Sequence, residues 1–183
     1  MKNKIILIGG IPGSGKTTIS KILSHKLNIT HRIGTGFIRE SLRAHLNKTD
    51  HPFLFNYTFR CEDGELKNHY LAQAKLVCAS VNAIIKRAKN EGTSIIIEGS
   101  HLVPSLINSD EDVSFIILDC DDSSLKARLM GDTHSKRNIT QKDSDKILEL
   151  REIILDDAKA NNIFIIKNEE IEKTIKEIIN MND

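Results

Sequence analysis

Gly10-Ile11-Pro12-Gly13-Ser14-Gly15-Lys16-Thr17 decides the fold through what flanks it. A short apolar run, Ile5 to Ile8, precedes it, and a helical pattern with Ile19, Ile22, Leu23 and Leu27 on one face follows. Strand, glycine loop and helix are the context that makes G-x-x-x-x-G-K-[ST] a phosphate-binding P-loop. Glycine accepts positive φ and lets the backbone approach an anion with no Cβ in the way. Successive N–H groups and the positive end of the following helix then favour the anion. In this reading Gly10, Pro12, Gly13, Ser14, Gly15, Lys16, Thr17 and Thr18 cradle a nucleoside triphosphate. Lys16 reaches the β- and γ-phosphates, and the Thr17 hydroxyl ligates Mg²⁺.

Outward from the loop, apolar runs alternate with helical patterns. Lys4 to Ile8 is nearly all apolar, as a strand buried on both faces of a parallel sheet should be. A helix from about Lys16 to Leu27 leads to a short strand, His31 to Gly34, and a helical segment from about Phe37 to Leu46. Lys48 to Asp63 breaks the rhythm and reads as loop, with Phe53, Phe55, Tyr57 and Phe59 in need of cover. Glu65 to Asn90 reads as a long helix with Gly92 as its cap. Strands follow at Ser94 to Ile97, ending in Glu98-Gly99, and at Val113 to Leu118, ending in Asp119. Asp121 or Asp122 caps a helix through Met130, and Thr140 with Asp143 resembles a capping box opening a helix to about Ala160. Ile163 to Ile166 is a fifth strand, and Ile171, Ile175, Ile178 and Ile179 mark a closing helix. Five strands separated by helices imply a doubly wound parallel α/β sandwich. With no linker or repeat, the 183 residues read as one domain.

Composition narrows the setting. The chain is 39% hydrophobic and 28% charged, and its net charge of +1 gives no global pull toward nucleic acid. Cys61, Cys78 and Cys120 are too scattered for a zinc site or a disulfide framework, which fits a reducing cytoplasm. No signal peptide is expected ahead of the first strand, and no apolar run approaches the ~18 residues needed to span a bilayer.

In doubly wound sheets, ligands sit beyond the carboxyl ends of the strands. Glu98 stands at such an end, where it can hold Mg²⁺ through water or accept the proton of an attacking hydroxyl. Helix capping and solvation explain Asp119, Asp121 and Asp122 better than chemistry does. Arg39 and Arg43, four apart on one helix face after the second strand, can grip an anion bidentately. Glu40 can equally pair with Arg43 as a surface ion pair. Residues 131–138 form a polar segment carrying Lys136 and Arg137, with Arg128 upstream. Such a segment can close as a lid and neutralise charge in phosphoryl transfer, or be an exposed basic loop. His101 can contact substrate or satisfy local backbone, and Gln73, inside the long helix, can face a ligand or solvent.

Taken together, several stretches resemble the archaeal 2-phosphoglycerate kinases. These are Ile8-Gly9-Gly10 with the loop through Thr18, Ile33-Gly34-Thr35 with Ile38-Arg39-Glu40 and Leu42-Arg43, and Ile95-Ile96-Ile97-Glu98-Gly99-Ser100-His101-Leu102-Val103-Pro104. The I-I-E-G-x-H-x-V-P stretch is the most specific of them. Lys136-Arg137, Leu150-Arg151 and Ala158 look like that family's lid and following helix. The resemblance covers nearly the whole chain. It implies a P-loop NTPase fold of the nucleoside monophosphate kinase-like kind, a three-layer sandwich on a five-stranded parallel sheet. It also implies transfer of the γ-phosphoryl group of ATP to a hydroxyl of a small anionic metabolite; with the reading of the loop and the composition, Mg²⁺ is expected and no nucleic-acid or membrane partner is.

In the mechanism these readings assemble, Lys16, Glu98 and Arg137 are catalytic, and Thr17 and Glu98 place Mg²⁺. Arg128 joins the ATP contacts, while Thr35, Arg39, Arg43 and His101 bind the acceptor. Gly36 stands where the family usually has Asp, and the N-terminal extension of its longer members has no counterpart here. Alternatives are a nucleoside monophosphate or other small-molecule kinase, a polynucleotide 5′-hydroxyl kinase, and an ATP-gated regulatory switch without an acceptor.

Overall fold

A computed structural model describes residues 3–130 and 138–182. Its elements run β1 Ile5–Gly9, α1 Lys16–Lys26, β2 His31–Gly34, α2 Thr35–His45, α3 Leu66–Glu91, β3 Ile95–Glu98, β4 Val113–Asp119, α4 Asp122–Met130, α5 Gln141–Ala160, β5 Phe164–Lys167 and α6 Ile171–Asn180. The strands form one five-stranded sheet in the order β2-β3-β1-β4-β5, parallel at every pairing. This is the expected doubly wound arrangement, and most boundaries fall within a residue or two of those read from the sequence.

Alternation along each central strand divides the core. Ile5 and Leu7 of β1, Ile95 and Ile97 of β3, and Phe115 and Ile117 of β4 pack into one apolar layer with α3 and α5. Ile6, Ile8, Ile96, Ile116 and Leu118 pack into the other, with Ile19 and Leu23 of α1 and Ile175 and Ile178 of α6. Period-two side chains on strands buried on both faces therefore produce helix, sheet, helix. Two helix ends follow their sequence signals closely. Gly92 closes α3 in the left-handed region at φ 62°, and the Thr140 and Asp143 side chains cap α5 reciprocally.

The stretch read as plain loop, 48–63, contains a short 3-10 turn at Pro52–Phe55. Its aromatics find their cover locally and against the core. Phe59 is 2% exposed and stacks on Tyr57 with ring centroids 5.5 Å apart, while the Arg43 guanidinium lies 4.8 Å from the Phe55 ring centre. The proposed lid lies almost wholly outside the described residues, and so do Lys136 and Arg137.

One expectation fails. Asp119 is not a solvated strand-end carboxylate: it is buried and held by Arg151, whose Nε donates to Oδ1 at 2.6 Å and Nη2 to Oδ2 at 2.9 Å. A carboxylate this deep is tolerated because a bidentate guanidinium meets both oxygens. Asp121 behaves as expected, accepting the Ser124 N–H at 2.8 Å at the start of α4.

Candidate active site

Register places the site. Ile8 of β1 and Gly34 of β2 are both level with Glu98 at the carboxyl end of β3. β1 has β3 on one side and β4 on the other, so the chain departs in opposite directions at this point, where a crevice forms. The glycine loop after β1 opens into that crevice. Gly10, Gly13 and Gly15 sit at φ 129°, 87° and 92°, conformations that L side chains rarely adopt. A Cβ at Gly13 would come within 2.7 Å of Leu125 Cδ1, and one at Gly15 would overlap the Asn168 amide. The loop is held from outside as well. Asn168 Nδ2 donates to the Ser14 carbonyl at 2.9 Å, and Thr174 Oγ1 donates to Asn168 Oδ1 at 3.1 Å. Arg128 donates to the carbonyls of Gly13 at 3.4 Å and Asn168 at 3.0 Å.

α1 begins at Lys16 without a side-chain cap, so the first-turn N–H groups are left for an anion. Lys16 is buried and folds back on the loop, its Nζ 2.5 Å from the Ile11 carbonyl and 3.3 Å from Ser14 Oγ. Thr17 and Thr18 face outward. The Thr17 hydroxyl donates to Glu98 Oε1 at 3.0 Å, across 81 positions of sequence. Glu98 is 8% exposed, and Arg32 Nη1 stands 4.0 Å from the same oxygen. A hydroxyl and a carboxylate this close are the hard oxygen donors Mg²⁺ takes, its remaining ligands coming from phosphates and water. Among the described residues no group of three or more His, Cys, Asp or Glu could hold a metal ion. The Thr17 hydroxyl and Glu98 carboxylate fit Mg²⁺ that arrives with a nucleotide.

Along α2, the structure brings Arg39 and Arg43 together on Glu40. Arg39 Nη2 donates to Oε1 at 3.1 Å, and Arg43 Nη1 lies 2.9 Å from each carboxylate oxygen. These contacts hold the Glu40 carboxyl below its ordinary range, against a desolvation effect that would raise it. Arg39 also donates to the Asn56 carbonyl at 3.2 Å, while its Nε is buried without a hydrogen-bond partner. Thr35 and His101 are both buried, and Thr35 Oγ1 is 3.0 Å from His101 Nδ1. Burial, then the charges of Arg39 and Lys16, push the His101 pKa down to about 3, so the ring is neutral. Gln73 faces neither ligand nor solvent: it is fully buried against His101.

Asn168 and Arg32 went unread in the sequence, and Arg151 was read only as part of the helix that follows the lid, without its partner. Asn168 had a signal, since it follows the fifth strand and strand ends are where ligands gather. Arg32 and Arg151 had none, because only the folded sheet shows that their partners are Glu98 and Asp119.

The chain matches the family described as AAA domain over residues 6–149. It is 36% identical to a 2-phosphoglycerate kinase of Pyrococcus furiosus over an alignment of 189 positions that covers 96% of this chain and 62% of that protein. Against a 2-phosphoglycerate kinase of Methanopyrus kandleri it is 31% identical over an alignment of 193 positions that covers 96% of this chain and 59% of that one. The chain thus spans about three fifths of the length of these curated relatives. Among solved structures, shikimate kinase from Acinetobacter baumannii in complex with shikimate superposes with a TM-score of 0.61 at 14% identity, covering 98% of this chain and 92% of the other. A gluconokinase from Sinorhizobium meliloti 1021 does so with a TM-score of 0.55 at 13% identity, covering 98% and 91%. At such identities the superpositions speak for the fold alone.

Proposed function

The chain belongs to the AAA domain family, and from that premise we propose that it is an ATP-dependent kinase acting on a hydroxyl of a small anionic metabolite. Similarity to proteins named 2-phosphoglycerate kinase makes 2-phosphoglycerate the first acceptor to test. The observation that carries the reading is the Thr17–Glu98 hydrogen bond at 3.0 Å, where loop and carboxylate converge. In this reading the whole chain acts as one kinase domain with a lid at about 131–138.

The loop amides and Lys16 bind the β- and γ-phosphates, and Arg128 lies along the loop toward the nucleotide. Thr17 and Glu98 would hold Mg²⁺, which when bound neutralises charge on those phosphates. Glu98 also accepts the proton of the attacking hydroxyl in this reading. Arg39 and Arg43 leave Glu40 for the acceptor's anionic group, relieving the buried Arg39 Nε that has no partner. Arg137 of the lid, with Lys136, adds positive charge over the transferred group. Catalysis is then mostly positioning and electrostatics, with Lys16 and Arg39 fixing the two reactants in line. Thr35 and His101, buried and bonded to each other, shape the acceptor pocket from behind.

Gly36 favours a second reading within the same chemistry. A Cβ there would meet nothing within 4 Å, so the space is open to a different or larger acceptor. ADP release measured with 2-phosphoglycerate and a panel of small hydroxy acids, sugars and nucleoside monophosphates tests both readings. We expect acceptor-dependent ADP release that Lys16→Ala abolishes while its circular dichroism stays that of the parent. ATP binding with no turnover on any acceptor would leave a nucleotide-gated switch in place of a kinase.

A further inference from the structure

Gln73 lies in the first half of α3 with no exposure to solvent. A buried amide is costly unless its groups are met. Its Nε2 is 2.5 Å from the Phe53 carbonyl oxygen and 3.2 Å from that of Asn56. Carbonyl oxygens only accept, so the amide must present its NH₂ to them and its Oε1 to the other side. There Oε1 lies 3.1 Å from His101 Nε2, and a hydrogen bond between these atoms requires a proton on Nε2. A neutral imidazole carries a single proton, so Nδ1 is bare and accepts from the Thr35 hydroxyl. With both amide protons committed to carbonyls, His69 Nε2, 2.9 Å away, is left to the Tyr57 carbonyl. The Asn56 carbonyl in turn accepts from Arg39 Nη1. One side chain thus links the end of β3, the start of α2 and the 52–56 turn.

We propose that Gln73 is the positioning residue of the acceptor half of the site. The Oε1 face of its amide fixes His101 as the Nε2–H tautomer and so directs the Thr35 hydroxyl. The NH₂ face ties the turn at Phe53 and Asn56 to α3 and, through Asn56, sets where Arg39 stands. The part concerning Arg39 rests on the acceptor role given to that arginine above; the part concerning His101 does not.

Two substitutions separate the faces. Gln73→Glu keeps an acceptor for His101 Nε2–H but turns a carboxylate toward the two carbonyls. Gln73→Met, of similar length, removes both functions. Tautomers are read by long-range ¹H–¹⁵N correlation on the histidine ring at neutral pH, and kinetics with 2-phosphoglycerate as acceptor. In the unsubstituted protein the proton is on Nε2. Gln73→Glu keeps that tautomer and raises the acceptor KM by at least about fivefold, the scale of one lost hydrogen bond, with the ATP KM within about twofold. Gln73→Met raises the acceptor KM similarly and mixes the tautomers. A proton on Nδ1 in the unsubstituted protein overturns the proposal, and so does an equal rise in both KM values with Gln73→Glu. Where Gln73→Met does not fold, the unsubstituted protein and the Glu variant still decide. Absence of any kinase activity would sink the functional reading while leaving the tautomer result standing.

Discussion

At Gly36 the residue present and the chemistry expected diverge. Gly36 is the second residue of α2 and is exposed, and α2 has no acidic residue in its first turn. Its φ is not positive, and a Cβ has open space around it. Asp would therefore fit without strain, at a helix N-terminus where a carboxylate is favoured by about 0.3–1 kcal/mol. Gly36→Asp is expected to leave the melting temperature equal or higher and to raise turnover with 2-phosphoglycerate. Turnover that falls with melting unchanged would mean the open space serves a different acceptor. Such single positions explain what was legible at this scale. The glycines of the loop announce themselves because only glycine suits their φ values, whereas Gln73 reads the same in the sequence whether it faces water, ligand or His101.

Among the elements, the start of α5 joins two parts of the chain that meet nowhere in the sequence. Asp143 caps the helix with Thr140 and also receives Arg60, Nε to Oδ1 at 3.1 Å and Nη2 to Oδ2 at 3.0 Å. Arg60 Nη2 reaches the Asn138 carbonyl as well, at 3.1 Å. The turn bearing Asn56 to Glu62 is thereby clasped to the segment that enters α5, with a cavity of about 380 Å³ between them. The capping box was visible because it is local, three residues apart. The Arg60 clasp was not, since its partners are 83 positions apart and neither residue type is unusual in a loop or a helix. Removing Asp143 should cost more than removing Thr140. Thr140→Ala should destabilise by about 1 kcal/mol, the usual cost of a lost cap. Asp143→Ala, which also leaves Arg60 without its carboxylate, should cost about 2–3 kcal/mol. Urea unfolding of the two variants checks the order, and equal losses would reduce Asp143 to a capping residue.

Across the whole molecule, strand order turns scattered sequence into one site. Apolar runs and glycine punctuation predicted five strands and their helices, and the register of β1, β2 and β3 then brought the loop, Thr35 and Glu98 to one end. What stayed hidden was the long-range polar wiring of the interior, and that wiring sets a property of the entire fold. His101 is 4% exposed, with Thr35 and Gln73 on its two nitrogens and the positive charges of Arg39 and Lys16 acting on it. Its pKa is lowered from 6.5 to about 3, chiefly by burial. Above pH 6.5 the ring is neutral folded or unfolded, and stability is unaffected by this group. Below that, the unfolded chain takes up a proton the folded chain refuses, so stability is lost as pH falls from 6.5 toward 3. Over that window His101 alone contributes a slope approaching about 1.4 kcal/mol per pH unit. Asp143, held low by Arg60 and the cap, bends the curve the same way at the acid end. His101→Gln preserves a donor and an acceptor but does not titrate, so it isolates the ring. Urea unfolding from pH 7.5 to 4 should show the unsubstituted protein losing stability more steeply than His101→Gln below pH 6.5. Parallel curves would mean that His101 charges in place, and that the acceptor side of the cleft is wetter than its burial implies.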